Sequence, residues 1–163
     1  MEGKYSVDTV SRYIINYCDE HLGGVSNIRL QKLLYFVQAQ FIMDLNIAAF
    51  KEEIEAWSFG PVIPEIYRKY KIFGRDNIIL NAKNDIKKYL FGFNNELNEE
   101  ILKEDMNIIN KALKATSDVS TAELVRVSHI QEPWKNAYNK DNPKNVITKE
   151  SIYEYFVGKH SIY

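Results

Sequence analysis

Between Val7 and Cys18 apolar residues recur at steps of three and four, with Val7, Val10, Ile14, Tyr17 and Cys18 on one side. That is the helical period, and Ser6 supplies a hydroxyl able to cap the first free amides. The pattern predicts a helix from Ser6 that ends before Gly23-Gly24, where a left-handed backbone is cheap. A second stripe of Leu30, Leu33, Leu34, Val37 and Phe41 is the clearest in the chain and predicts a helix from Ser26 or Asn27, buried on that side. Its opposite side carries Arg29, Lys32, Gln38 and Gln40, with Tyr35 toward the same flank.

The period then changes to two. Residues Glu53 to Phe59 alternate as Glu-Ile-Glu-Ala-Trp-Ser-Phe, which fits a short half-exposed strand ended by Gly60-Pro61. Pro64 suits the first turn of a further helix, with Glu65 at its positive end, a face of Ile66, Tyr67 and Tyr70, and Gly74 as its stop. Asn77 to Leu80 and Tyr89 to Phe93 read as two more strands around a Lys-rich turn.

Helical spacing returns with Leu102, Met106, Ile109 and Leu113, behind a cap at Asn98. Ser120-Thr-Ala-Glu123 is a capping box that opens a short helix through Leu124, Val125 and Val127. A turn from Pro133-Trp134 to Tyr138 follows, and Thr148 caps a last helix bearing Ile152, Tyr155 and Phe156. No repeat, low-complexity run or linker divides the chain. The expectation is one domain over residues 1–163, mainly α (α+β), with a small two- or three-stranded sheet packed on helices.

Composition adds bounds. A chain of 163 residues buries roughly 70% of its unfolded surface without staples. Twenty-one basic residues against twenty-two acidic ones leave a net charge of -1, which gives no long-range pull on nucleic acid. Cys18 has no second cysteine to pair with, and His21 three residues on reads as a solvated neighbour rather than a thiolate partner. His129 and His160 lack partners at ligand spacing, so no metal is expected, and no cofactor either. No apolar run reaches the roughly 18 residues of a membrane span. The N-terminal stretch has no continuous apolar segment of the secretory kind, so the expected location is the cytoplasm.

Catalytic signatures are missing: the sequence has no glycine-rich phosphate loop, no Gly-x-Ser-x-Gly elbow and no paired-histidine motif. Glu52, Glu53 and Glu55 invite an acid–base reading, but alternating strand carboxylates are usually a solvated face. Eleven tyrosines and two tryptophans are a heavy aromatic load, of the kind protein interfaces use for large contact area at low rotamer cost. Stacking on single-stranded nucleic acid would need a basic groove that the sequence does not display.

Three blocks go further. Arg29-Leu30-Gln31-Lys32-Leu33-Leu34-Tyr35-Phe36, with Gln38 beyond, resembles the Leu-Gln-Lys-Leu-Leu-Tyr block of the Panacea domain family. Ile54-Glu55-Ala56-Trp57, Gly60-Pro61-Val62 and Glu65-Ile66-Tyr67 resemble its Glu-Ala-Trp-x-x-Gly-Pro-Val-x-x-x-Val-Tyr run, and Ser128-His129 with Pro133-Trp134 its Thr-His-x-x-x-Pro-Trp signature. Arg29 stands for the usual lysine and Ser128 for the usual threonine, both conservative; the stretch from Asn81 to Asn95 aligns with nothing.

The resemblance implies a mostly helical domain that neutralises protein toxins, including toxic small alarmone synthetases, or, in the SocA type, delivers a toxin to a protease. The leading expectation is therefore an antitoxin that binds a cognate toxin and is not an enzyme. The alternatives are a phage or mobile-element protein that inhibits a host defence protein, or a proteolytic adaptor. An enzyme built on Lys32, Tyr35, Glu55 and His129 would need those groups within hydrogen-bond reach of one another. A helix-turn-helix over Ser120 to Tyr138 would have only Arg126 and Lys135 for phosphates. Candidate partner-binding residues are Lys32, Tyr35, Gln38, Trp57, Tyr67 and Trp134. For Lys32 and Tyr35 the competing role is internal hydrogen bonding, and for Trp57 and Trp134 a structural clasp.

Overall fold

In the computed structural model, which describes residues 1–80, 100–142 and 145–163, most helices begin where a capping hydroxyl stands. Strand β1 (Gly3–Tyr5) leads into helix α1 (Val7–His21), whose Ser6 cap accepts from the Thr9 amide. Helix α2 (Asn27–Leu45) is capped by Ser26 and closed by Asn46 in the left-handed region. Strands β2 (Ala48–Phe50), β3 (Ile54–Trp57) and β4 (Gly60–Val62) follow, then α3 (Pro64–Tyr70) and a 3-10 turn, Lys71–Phe73. The rest comprises α4 (Lys103–Ala115), α5 (Thr121–Ile130), α6 (Glu132–Ala137), β5 (Val146–Ile147) and α7 (Lys149–Phe156). The fold is mainly α with two small sheets: a parallel β1–β2 pair, and an antiparallel sheet in the order β4-β3-β5.

Helix α2 is the axis. It packs against α1, α3, α4, α5 and α7 and against strands β2 and β4. Leu30, Leu33, Leu34, Phe36, Val37 and Phe41 are all buried in one cluster, each worth about 1.5–3 kcal/mol by burial. The expected polar side of α2 is not a surface. Every residue from Leu30 to Ile42 is buried, including Gln31, Lys32, Gln38 and Gln40. The reason is that the strands cover the flank that two packed helices alone would leave open.

Several local expectations change. The strand predicted over Glu53 to Phe59 is a hairpin arm, Ile54–Trp57, turning at Ser58-Phe59. Gly60-Pro61 does not end the strand but opens its partner, with Trp57 opposite Gly60 and Ala56 opposite Pro61. Proline is tolerated because β4 is an edge strand. Asn77 to Leu80 is not a strand; Asn77 makes a single bridge to Ser26, and Ile78 is buried beyond it. The proposed strand Tyr89 to Phe93 and the cap Asn98 lie outside the described residues. Helix α4 starts after Leu102, which makes no side-chain capping bond. Strands β1, β2 and β5 were too short to leave a period in the sequence.

Candidate functional site

The polar residues of α2 act as rivets: Gln31, Lys32 and Gln38 each fix a different piece of backbone, and Tyr35 fixes a side chain. Gln31 Oε1 accepts from the Ile63 amide at 2.9 Å, while its Nε2 donates to Asn27 Oδ1. Lys32 Nζ donates to the Pro61 carbonyl at 2.8 Å. The Tyr35 hydroxyl donates to Gln131 Oε1 at 2.9 Å. Gln38 stands in for a missing strand: Oε1 accepts from the Ala49 and Phe50 amides, and Nε2 donates to the Phe50 carbonyl. The helix thus satisfies strand edges that would otherwise hold buried, unpaired amides and carbonyls. Lys32, Tyr35 and Gln38, all 0% exposed, offer a partner no surface in this arrangement.

Around Lys32 the hairpin meets α5. Burial pushes its ammonium down to about 7, since it has left water for a single carbonyl. Gly60, at φ 98°, makes room for it: a Cβ there would lie 2.7 Å from Ser128 Oγ and 2.8 Å from Lys32 Cε. His129 is held below the usual histidine range, first by burial and then by Lys32, with a backbone bond to Ser58 acting the other way. Its Nε2 is buried with no hydrogen-bond partner among the described residues.

Next to this lies an aromatic cluster on the hairpin, α3 and α6. Trp57 meets Tyr67 edge-on with ring centres 5.1 Å apart, and its Nε1 donates to Glu55 Oε2 at 2.7 Å. Trp134 stacks on Tyr138 at 4.5 Å, lies against His129 at 4.2 Å, and donates Nε1 to the Trp57 carbonyl at 2.9 Å. The clasp between the tryptophans therefore runs from one indole to the other's backbone. Trp134→Phe keeps the ring contacts and removes that bond; urea unfolding should show a loss of about 1 kcal/mol. Phe59, at the hairpin turn, is 66% exposed.

The carboxylate candidates separate. Glu52 and Glu53 line a cleft of about 200 Å³ with Gln38, Ile54 and Lys149, whereas Glu55 serves Trp57. Among the described residues no group of three or more His, Cys, Asp or Glu could hold a metal, and no helix is long and apolar enough to cross a membrane. Cys18 is buried and its thiol pushed up to about 11 by desolvation, while His21 lies against Tyr17.

The stretch that builds α2, the hairpin, α3 and the α5–α6 clasp is also the stretch that known proteins share. The family model for the Panacea domain of SocA-like antitoxins matches residues 30–135. The chain belongs to that family. Antitoxin SocA of Caulobacter vibrioides (strain NA1000 / CB15N) is 36% identical to it over 112 residues. That match takes in 68% of this Panacea chain but only 58% of the relative's length. No solved structure matches the chain.

Within this Panacea domain the structure brings Trp57, Tyr67 and Trp134 to one end and places Lys32, Tyr35 and Gln38 in the core beneath. Lys32 bonds to Pro61, Tyr35 to Gln131 and Glu55 to Trp57, so each has a partner outside the proposed catalytic set. Sequence reasoning missed Phe59 as a surface residue, because an alternating strand puts it on a face rather than at a turn. It also missed Gln31 and Asn27, whose Nδ2 donates to the Tyr67 carbonyl at 3.0 Å. Gln31 lay inside the recognised block, yet nothing in a helical period distinguishes a polar rivet from a solvated residue.

Proposed function

We propose that this Panacea protein is an antitoxin-like protein that binds and neutralises a cognate protein toxin in the cytoplasm, by stoichiometric contact rather than catalysis. The observation that carries the reading is the 36% identity to Antitoxin SocA over 112 residues. Two features support it. The buried polar residues Lys32, Tyr35 and Gln38 of α2 are committed to internal partners, so they serve the scaffold, and at the aromatic end Phe59 and Tyr67 are exposed, offering contact area of the kind interfaces favour.

The test is co-expression with the protein encoded by the adjacent gene. That protein alone should arrest growth; with this chain present, growth should return and the two should co-purify as a complex of fixed stoichiometry. A neighbour that is harmless alone and does not co-purify overturns the reading.

A further inference from the structure

Helix α3 and the 3-10 turn behind it show a mixed face to solvent. Ile66 and Tyr70 hold the buried side. Tyr67 and Lys71 stand one turn apart on the outer flank, Arg68 lies beside them, and Ile72 is 77% exposed. The edge contact of Tyr67 with Trp57 carries this surface onto the hairpin, where Phe59 projects. Trp57 has already committed its Nε1 to Glu55, so it presents ring rather than donor.

The charges decide what fits. On the same helix Lys69 is paired with Asp8. Arg68 and Lys71 are exposed and have no ion pair among the described residues, with Glu65 the acid nearest them on the helix. In a chain of net charge -1 these cations give the face local positive charge without making the chain a general polyanion surface. Cations beside exposed aromatic and aliphatic side chains are complementary to an acidic segment with apolar anchors. Single-stranded nucleic acid fits less well. Trp57 and Tyr67 are packed edge to face rather than offering open faces to successive bases, and two cations make a poor backbone track.

We infer that Trp57, Phe59, Tyr67, Arg68, Lys71 and Ile72 form the face that docks the protein partner, and that the partner meets it with an acidic, apolar-anchored segment. The inference rests on the antitoxin reading and adds the surface and its chemistry.

The experiment measures binding of the purified adjacent-gene protein to the full chain and to three variants: Arg68→Glu/Lys71→Glu, Phe59→Ser, and the control Lys103→Glu/Lys114→Glu on α4. All the replaced residues are exposed, so near-ultraviolet circular dichroism should be unchanged in each. The first two variants should weaken binding by about ten-fold or more, the control by less than about two-fold, and the wild-type affinity should fall as salt is raised. Tight binding by both α3 and hairpin variants overturns the docking face and leaves the antitoxin reading intact. No binding by the wild-type chain overturns both. Binding of a single-stranded oligonucleotide that Arg68→Glu/Lys71→Glu abolishes overturns the assignment to a protein partner.

Discussion

Raising the pH from 7 to 9 should stabilise the folded chain by about 2–3 kcal/mol, and the substitution Lys32→Met should remove most of that rise. The sign follows from burial. Unfolded, Lys32 titrates near its ordinary 10.5; folded, it is pushed down to about 7. Between those values the unfolded chain holds a proton that the folded chain has released, so stability grows with pH. Below about pH 7 the buried ammonium is charged in both states and its full desolvation cost remains. His129, also held low, adds a loss in the same direction as pH falls below 6.5. The gain does not continue indefinitely. Burial pushes the Cys18 thiol up to about 11, and the Tyr35 and Tyr70 hydroxyls upward as well. Those groups ionise first in the unfolded chain and favour it above pH 9 to 10. Urea unfolding at pH 6, 7, 8 and 9 should give a rising midpoint for the wild type and a nearly level one for Lys32→Met. A wild-type midpoint that stays flat over this range would mean that Lys32 finds charge compensation in the core.

Gln38→Leu should cost about 4 kcal/mol. One side-chain amide meets the Ala49 amide at 2.9 Å, the Phe50 amide at 3.2 Å and the Phe50 carbonyl at 3.1 Å. Leucine matches the volume but leaves these buried backbone groups without partners, at about 1–3 kcal/mol each. Strand β2, which these bonds hold against α2, pairs in parallel with β1, so the N-terminal strand should loosen with it. Hydrogen exchange should show faster exchange at Ala49 and Phe50 while amides within α4 keep their protection. Gln38→Glu should cost less than Gln38→Leu at a pH low enough to keep the new carboxyl neutral, because its carbonyl oxygen can still accept from the two amides and its O–H can donate to the Phe50 carbonyl; once ionised it loses that donor.

These two residues also show where sequence reading reaches its limit. Lys32 and Gln38 lay off the apolar stripe of α2, and the hydrophobic pattern therefore placed them outward. That inference holds for a helix with one covered face. It fails for a helix surrounded by α1, α3, α4, α5, α7 and two strands, where the polar residues point into backbone that no local pattern reveals. The surface aromatic end was half legible: Trp57, Tyr67 and Trp134 stood out by type, while the exposure of Phe59 at the hairpin turn, and of Arg68 and Lys71 without an ion pair among the described residues, emerged only from the tertiary structure.

By itself the sequence determined the positions of α1, α2, α3, α5 and α7, because capping hydroxyls, an N1 proline and a three-to-four-residue period are local signals. Its three motif blocks also determined the family. Only the tertiary structure decided which polar residues are buried, how Gly60-Pro61 enters an edge strand, and which aromatic groups share a surface. Those outcomes depend on contacts between residues far apart in the chain, such as Tyr35 with Gln131 and Trp57 with Trp134, and the energy of such contacts leaves no period in the segments that make them.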